Sequence, residues 1–503
     1  MDVLGQLALG FSVALTPQNL GFAFAGALIG TVIGILPGIG PAAGIALLLP
    51  TTFGVPPVSA LIMLAGIYYG AMYGGTLTSV LINTPGESAS VITTMEGYPL
   101  ALQGRAGAAL GIAAIGSFLA GTLGVAALML AAPPIAEWAV RFGPPEYFAL
   151  ALLGLLTLSG LTGTSTAKAL LMAVAGLALA TIGFDPVGGH PRFTLGILEL
   201  SDGVEFLPVA VGLFGLAELF ANFERPVRLE PIRATLSGLI PTWQDWLACR
   251  WAILRGGVIG FLVGVLPGAG ATIASFIAYG VEKRVSRHPE RFGTGAIEGV
   301  ASPESANNAA TAGAMVPLLT LGIPGSSTTA VLLGAFILYG LRPGPLLFEQ
   351  HPDVVWGLVA SMYVGNVMLL VLNLPCAPLF ASLLRLPYPV IAAGVLGVAL
   401  AGTYSLQNSL FDVWLAVAFG IVGYLMKRFD YPAAPLVLAL VLGPLLERSL
   451  RQSLTISQGS LAIFVERPGA AALLAVAALI LAVPLLLALR GRSAAARPGE
   501  QPL

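Results

Sequence analysis

Three uninterrupted apolar runs, Ala108 to Ala132, Val354 to Leu374 and Ala470 to Leu489, leave this chain few ways to fold. Each approaches or exceeds the roughly 20 residues with which a helix crosses a bilayer. Their hydrophobicity is continuous, not alternating, so they are not barrel strands; in lipid, helices satisfy their own backbone hydrogen bonds. The rest of the chain agrees: of 503 residues, 57% are hydrophobic and 9% charged, against about 25% charged in a soluble domain. The expected fold is an all-α polytopic membrane protein with about 10–12 transmembrane helices, short runs such as Ala433 to Leu446 either crossing or re-entering.

A net charge of −1 offers no extended basic surface and excludes nucleic acid as a partner. Cys249 and Cys376 are too few for a disulfide framework or metal cluster, and His190, His288 and His351 have no ligand or catalytic spacing, so no cofactor or metal is expected. Lys168 follows SGLTGTSTA, which lacks the Gly-Lys-Ser/Thr core of a phosphate loop, and reads as a snorkelling lysine. Asp185 reads as a solvated turn residue in GFDPVGGHPRF. The N-terminal MDVLGQLALG has no basic n-region, so the first apolar segment is expected to be retained. In the tail, 490–503, Arg490, Arg492 and Arg497 argue for a cytoplasmic C-terminus.

The apolar text interrupts itself twice in the same way, with GILPGIG at Gly34 to Gly40 and GVLPGAG at Gly264 to Gly270. At a constant offset of 230, Gly26, Ile29, Gly30, Gly34, Leu36, Pro37, Gly38 and Gly40 all meet identical residues. A weaker echo, at an offset of 239, pairs NTPGES at Asn83 to Ser88 with GIPGSS at Gly322 to Ser327. Between the halves, residues 222–255 carry Arg225, Arg228, Arg233, Arg250 and Arg255 against Glu224, Glu230 and Asp245, with Trp243, Trp246 and Trp251 suited to the headgroup layer. This stretch reads as a cytoplasmic interfacial linker between a first membrane half, 1–221, and a second, 256–489.

After its LPGxG motif the second half emerges into Lys283, Arg284, Arg287 and Arg291, whereas the first half emerges into the uncharged TTFGVPPV at Thr51 to Val58. The positive-inside rule places the former in the cytoplasm and the latter outside, which makes the two repeats inverted. Cations at both ends of Gly256 to Val281 imply a chain that enters and returns, with arms of about 11 residues, roughly 16 Å each. Each LPGxG then joins two half-helices in a re-entrant hairpin, since Pro removes a backbone donor and Gly accepts left-handed dihedrals. Kinks or close-packing glycines in ordinary spans are the plainer reading. Paired interruptions in two halves favour a transporter site.

Polar residues gather near these breaks. GVASPESANNAATAGAM supplies Ser302, Glu304, Ser305, Asn307, Asn308 and Thr311; Ser302 reads either as an N-cap in a Ser-Pro-Glu helix start or as a ligand. Tyr68 and Tyr69 read as interfacial anchors. Serine hydroxyls at a half-helix N-terminus suit a carboxylate, whereas Glu87 would repel one and instead binds a cation or proton or faces water.

Taken together, GTVIGILPGIGP, YYGAMYGGTLTSVLINTPGES, GVASPESANNAATAGAMVPLLTLGIPGSSTTAVLLGAF and PLVLALVLGPLLERSLRQSL closely resemble the large membrane subunit of tripartite tricarboxylate transporters, the TctA family, over nearly the whole chain. The resemblance implies a multi-pass bacterial inner-membrane permease working with a small four-helix membrane subunit and a periplasmic solute-binding protein. It also implies uptake of citrate, other carboxylates or aromatic acids, driven by an ion gradient.

The expected substrate site lies between the two Pro-Gly tips, using Asn83, Thr84, Gly86, Ser88, Asn307, Asn308, Gly325, Ser326, Ser327 and Thr328. Coupling Na+ or H+ is expected at Gly38, Gly40, Glu87, Gly268, Gly270, Ser302 and Glu304. A membrane-embedded enzyme would need a convergent acid, base or metal set that the spans lack, and a passive anion channel is the other rival.

Overall fold

The computed structural model describes residues 3–495 apart from 37, 162–164, 186–187, 225–237, 269 and 384–387, and leaves out the side chains at 158–161, 381, 383, 388, 391, 406–407 and 483–495. Pro37, Thr162 to Thr164, Arg225, Arg228, Glu230, Arg233, Ala269 and Arg497, and the side chains of Arg490 and Arg492, therefore lie outside the described residues. Regular secondary structure among the described residues is helical except for one antiparallel pair, Gly183–Phe184 with Pro191–Arg192.

Eight helices among the described residues are long and apolar enough to cross a membrane. Pro144–Leu161, Tyr388–Gln407 and Pro468–Ala495 are further long helices, while Gly and Pro divide other apolar runs into shorter ones such as Gly40–Thr52 and Ser327–Leu338. The chain is thus an all-α, multi-pass membrane protein.

Two helices form its centre. Pro57–Ile82 is almost wholly buried, and in Glu298–Leu321 every residue from Gly299 to Thr320 is buried. The second is not apolar enough to qualify as a span, yet protein surrounds it, so its Ser, Asn and Glu side chains meet partners instead of lipid. Each central helix is flanked by a partner whose glycines repeat every fourth residue. A Cβ on Gly26, Gly30 or Gly34 of Pro17–Ile35 would lie 2.3, 2.6 or 2.2 Å from the carbonyl oxygens of Met63, Ile67 and Ala71. On Gly256, Gly260 or Gly264 of Trp243–Val265, it would lie 2.3, 2.2 or 2.5 Å from those of Ser302, Ala306 and Ala310. Backbone rests on backbone along both seams, the close approach that small-xxx-small spacing permits. Both pairs run parallel, so a connecting segment must bring the chain back.

Ala106–Ala139 and Pro352–Asn373 pack around this centre. A second group joins Phe206–Glu224 to Leu410–Arg428, and Pro144–Leu161 and Thr166–Ala180 to Ala433–Ile456. The short Gly40–Leu48 and Ser327–Leu338 helices touch one another and both groups.

Candidate functional site

Each half of the chain breaks its helices twice, and the breaks match in detail. Pro17–Ile35 ends in an extended Leu36 (φ −84°, ψ 107°), followed by left-handed Gly38 and Gly40 (φ 88° and 55°). Trp243–Val265 ends in Leu266 (φ −75°, ψ 121°), followed by Gly268 and Gly270 (φ 83° and 60°). Only glycine adopts such angles without strain. The central helices end equally alike, in left-handed Asn83 and Gly322.

The next helices begin with extended N-caps. Glu87 accepts the Ala89 N–H at 2.6 Å and is reciprocated by Ser90; Ser326 accepts the Thr329 N–H at 3.2 Å and is reciprocated by Thr329. The two breaks of each half are tied together, with Gly38 N–H donating to Gly86 O at 3.2 Å and Gly268 N–H to Gly325 O at 3.0 Å.

These four tips line one cavity of about 730 Å³, a size suited to a small ligand. Gly38, Gly40, Gly86, Glu87, Ser88, Gly268, Gly270, Ser326, Ser327 and Thr328 all face it. Gly40–Leu48, Gly270–Val285 and Ser327–Leu338 begin at its wall, as does Val91–Leu102. The positive ends of helix dipoles therefore converge on one space, which favours an anion. Ser88 and Thr272 share a hydrogen bond of 2.7 Å across the halves. Glu87 is buried, and its Oε1 has no partner.

The other anticipated residues stand away from this wall. Asn83 is a left-handed helix terminus, Thr84 hydrogen-bonds to Ile82 O and Thr78 O, and Gly325 serves through its carbonyl. Ser302 is not an N-cap, since its helix starts at Glu298 and its hydroxyl donates to Ala278 O. Glu304, Asn307 and Asn308 are buried in a separate network. Thr76 and Thr93 hydroxyls donate to the Glu304 carboxylate, at 2.7 Å for Thr76, and Asn307 Nδ2 donates at 3.2 Å. Asn308 Nδ2 donates to Ser117 Oγ at 2.8 Å.

Sequence reasoning missed the remaining wall. Tyr68, expected at an interface, is buried with its side chain on the cavity. Glu218 and Lys427 line the far side, and neither stands out in sequence from ordinary charges at span ends. Leu213 and Phe214 also line the cavity from a π-helical stretch, Val211–Leu216, a feature often found at functional sites. No group of three or more His, Cys, Asp or Glu placed to hold a metal occurs among the described residues.

A helical membrane protein whose paired helix breaks converge on one cavity, largely apolar with a few polar groups at the tips, has the build of a broken-helix carrier. The tripartite tricarboxylate transporter TctA family matches residues 20–438, and the chain belongs to that family. It is thus the membrane subunit of a tripartite uptake transporter for tricarboxylates and related organic anions.

Two relatives come from Agrobacterium vitis. An uncharacterised 52.8 kDa protein in the TAR-I ttuC′ 3′ region is 48% identical over 492 residues, covering 98% of both chains. An uncharacterised protein in the TAR-II ttuC′ 3′ region is 46% identical over 233 residues, covering 46% of this chain and 96% of its own. No solved structure matches.

Proposed function

We propose that the chain is an ion-gradient-driven uptake permease of the bacterial inner membrane that holds its carboxylate substrate in the four-tip cavity. The convergence of helix N-termini and the Ser326, Ser327 and Thr328 tip on one space carries this reading. Asn83, Thr84, Gly325, Asn307 and Asn308 shape the tips and their support from behind, while Gly86 and Ser88 complete the wall. Glu87, with its partnerless oxygen beside the substrate space, takes the coupling H+ or Na+. Gly38, Gly40, Gly268 and Gly270 offer unwound backbone, and the Ser302 and Glu304 region is a second, fully buried coupling position.

In this reading residues 1–221 and 256–489 are inverted repeats, each with a re-entrant hairpin, joined by a cytoplasmic linker and followed by a cytoplasmic tail. Crosswise contacts support the inversion. The first-half return arm ends at Thr52, where the second half's Tyr339 hydroxyl donates to Thr52 O at 2.7 Å. The second-half return arm lies against the first half's Val91–Leu102 helix, with Tyr279 hydroxyl donating to Glu96 at 2.7 Å. A small four-helix membrane subunit and a periplasmic binding protein complete the system, the latter choosing much of what is delivered.

The test is uptake of radiolabelled citrate and a carboxylate panel into proteoliposomes. These hold the chain and its small membrane partner, with the binding protein outside and a Na+ or H+ gradient imposed. Expected is accumulation that needs gradient and binding protein and falls at least about tenfold in Ser326→Ala, the scale of one lost hydrogen bond to a charged ligand. Gradient-independent equilibration would favour a channel, and no flux from folded protein would remove the permease reading.

A further inference from the structure

Lys427 is the one cationic side chain among the described residues lining the cavity. It projects from the end of Leu410–Arg428 and pairs with Glu218 of Phe206–Glu224, both in the second helix group. Both residues line the cavity, and the Lys427 side chain is the more accessible of the two, 50% exposed against 12% for Glu218. Glu218 is held in place. Its Oε1 accepts from Asn222 Nδ2 at 3.4 Å and lies 2.4 Å from where a Cβ on Gly38 would stand. The pair therefore rests directly on the first-half LPG turn.

The remaining lining charges are Glu87 and Glu218, both acidic. Helix N-termini can meet one carboxylate, but their partial charges fall off within a turn. An anion with two or more carboxylates needs a second centre of positive charge, and Lys427 is the side chain that offers it. We propose that Lys427 receives a second carboxylate of the substrate, so that the cavity prefers polycarboxylates over monocarboxylates, and that Glu218 is its counter-ion when the cavity is empty.

Such a substrate would bridge the tip-bearing helices and the second helix group, whereas a monocarboxylate would engage the tips alone. Binding then exchanges one partner of Lys427 for another, and Glu218 competes with the substrate. This rests on the carboxylate reading of the cavity.

The experiment is calorimetric titration of the purified full-length chain, in complex with its small membrane partner, with citrate, succinate and propionate. Lys427→Gln should weaken citrate and succinate binding about tenfold, the size expected for loss of one close charge contact, and leave propionate within about twofold. Lys427→Arg should retain most of the preference. Glu218→Gln, which frees Lys427, should tighten citrate about threefold or more by removing the competitor.

Equal weakening of all three acids in Lys427→Gln, or no change in any, overturns the assignment. If that variant does not insert, Glu218→Gln decides alone, and unchanged citrate binding there overturns it. Should the wild-type protein bind none of the acids, the carboxylate reading falls first and takes this inference with it.

Discussion

At the scale of single residues, what matters most here is the absence of side chains. Gly260 faces Ala306 O at a distance, 2.2 Å from an added Cβ, that no real contact tolerates. Gly280, also helical, has nothing within 4 Å. Gly260→Ala should therefore push the Trp243–Val265 helix off its partner and cost about 1–3 kcal/mol, as overpacking does. Gly280→Ala should be neutral or gain up to about 1 kcal/mol from helix propensity. Thermal unfolding in detergent separates them, and equal melting temperatures would show that the seam is not tightly closed. The glycine register was legible in the sequence because two copies align. Lys427 and Glu218 were not, because a charge at the end of a span looks the same whether it faces headgroups or a cavity, and their pairing spans two distant helices.

At the scale of elements, Pro and Gly announced where helices stop, but not how they restart. The Leu36 and Leu266 ends and the glycines after them agree with the expected breaks. The start of Glu298–Leu321 did not follow from sequence. Ser302-Pro303-Glu304 has the look of a cap, yet the helix begins one turn earlier, and burial inside the bundle overrides the local signal. Equivalent positions also diverge in chemistry, for the first half caps its helix with Glu87 where the second uses Ser326. Ser326→Ala removes the acceptor for the Thr329 N–H and should cost about 1 kcal/mol at that terminus. Hydrogen exchange should quicken about fivefold over the first turn of Ser327–Leu338, with Ser326→Thr restoring protection. Unchanged exchange in the alanine variant would mean that packing alone holds this tip.

At the scale of the whole molecule, class and helical content were legible in composition, whereas the division into two helix groups was not. Their boundary is made by contacts between segments far apart in the chain, such as Gly38 against Glu218. Inversion is the global claim that charge suggested and that the crosswise contacts at Thr52 and Tyr279 support. It is tested by accessibility. Phe53, 49% exposed, follows the first return arm, and His288, with its side chain 64% exposed, follows the second. With Cys249 and Cys376 replaced by alanine, Phe53→Cys and His288→Cys would be labelled in turn by a membrane-impermeant maleimide on intact cells. Inverted halves put Phe53→Cys within reach from outside and leave His288→Cys unlabelled until the cells are opened. Labelling of both from the same side would make the hairpins enter from one face. The four tips would then still share a cavity, but the two-fold relation that lets one site face each side in turn would be lost, and alternating access would need another basis.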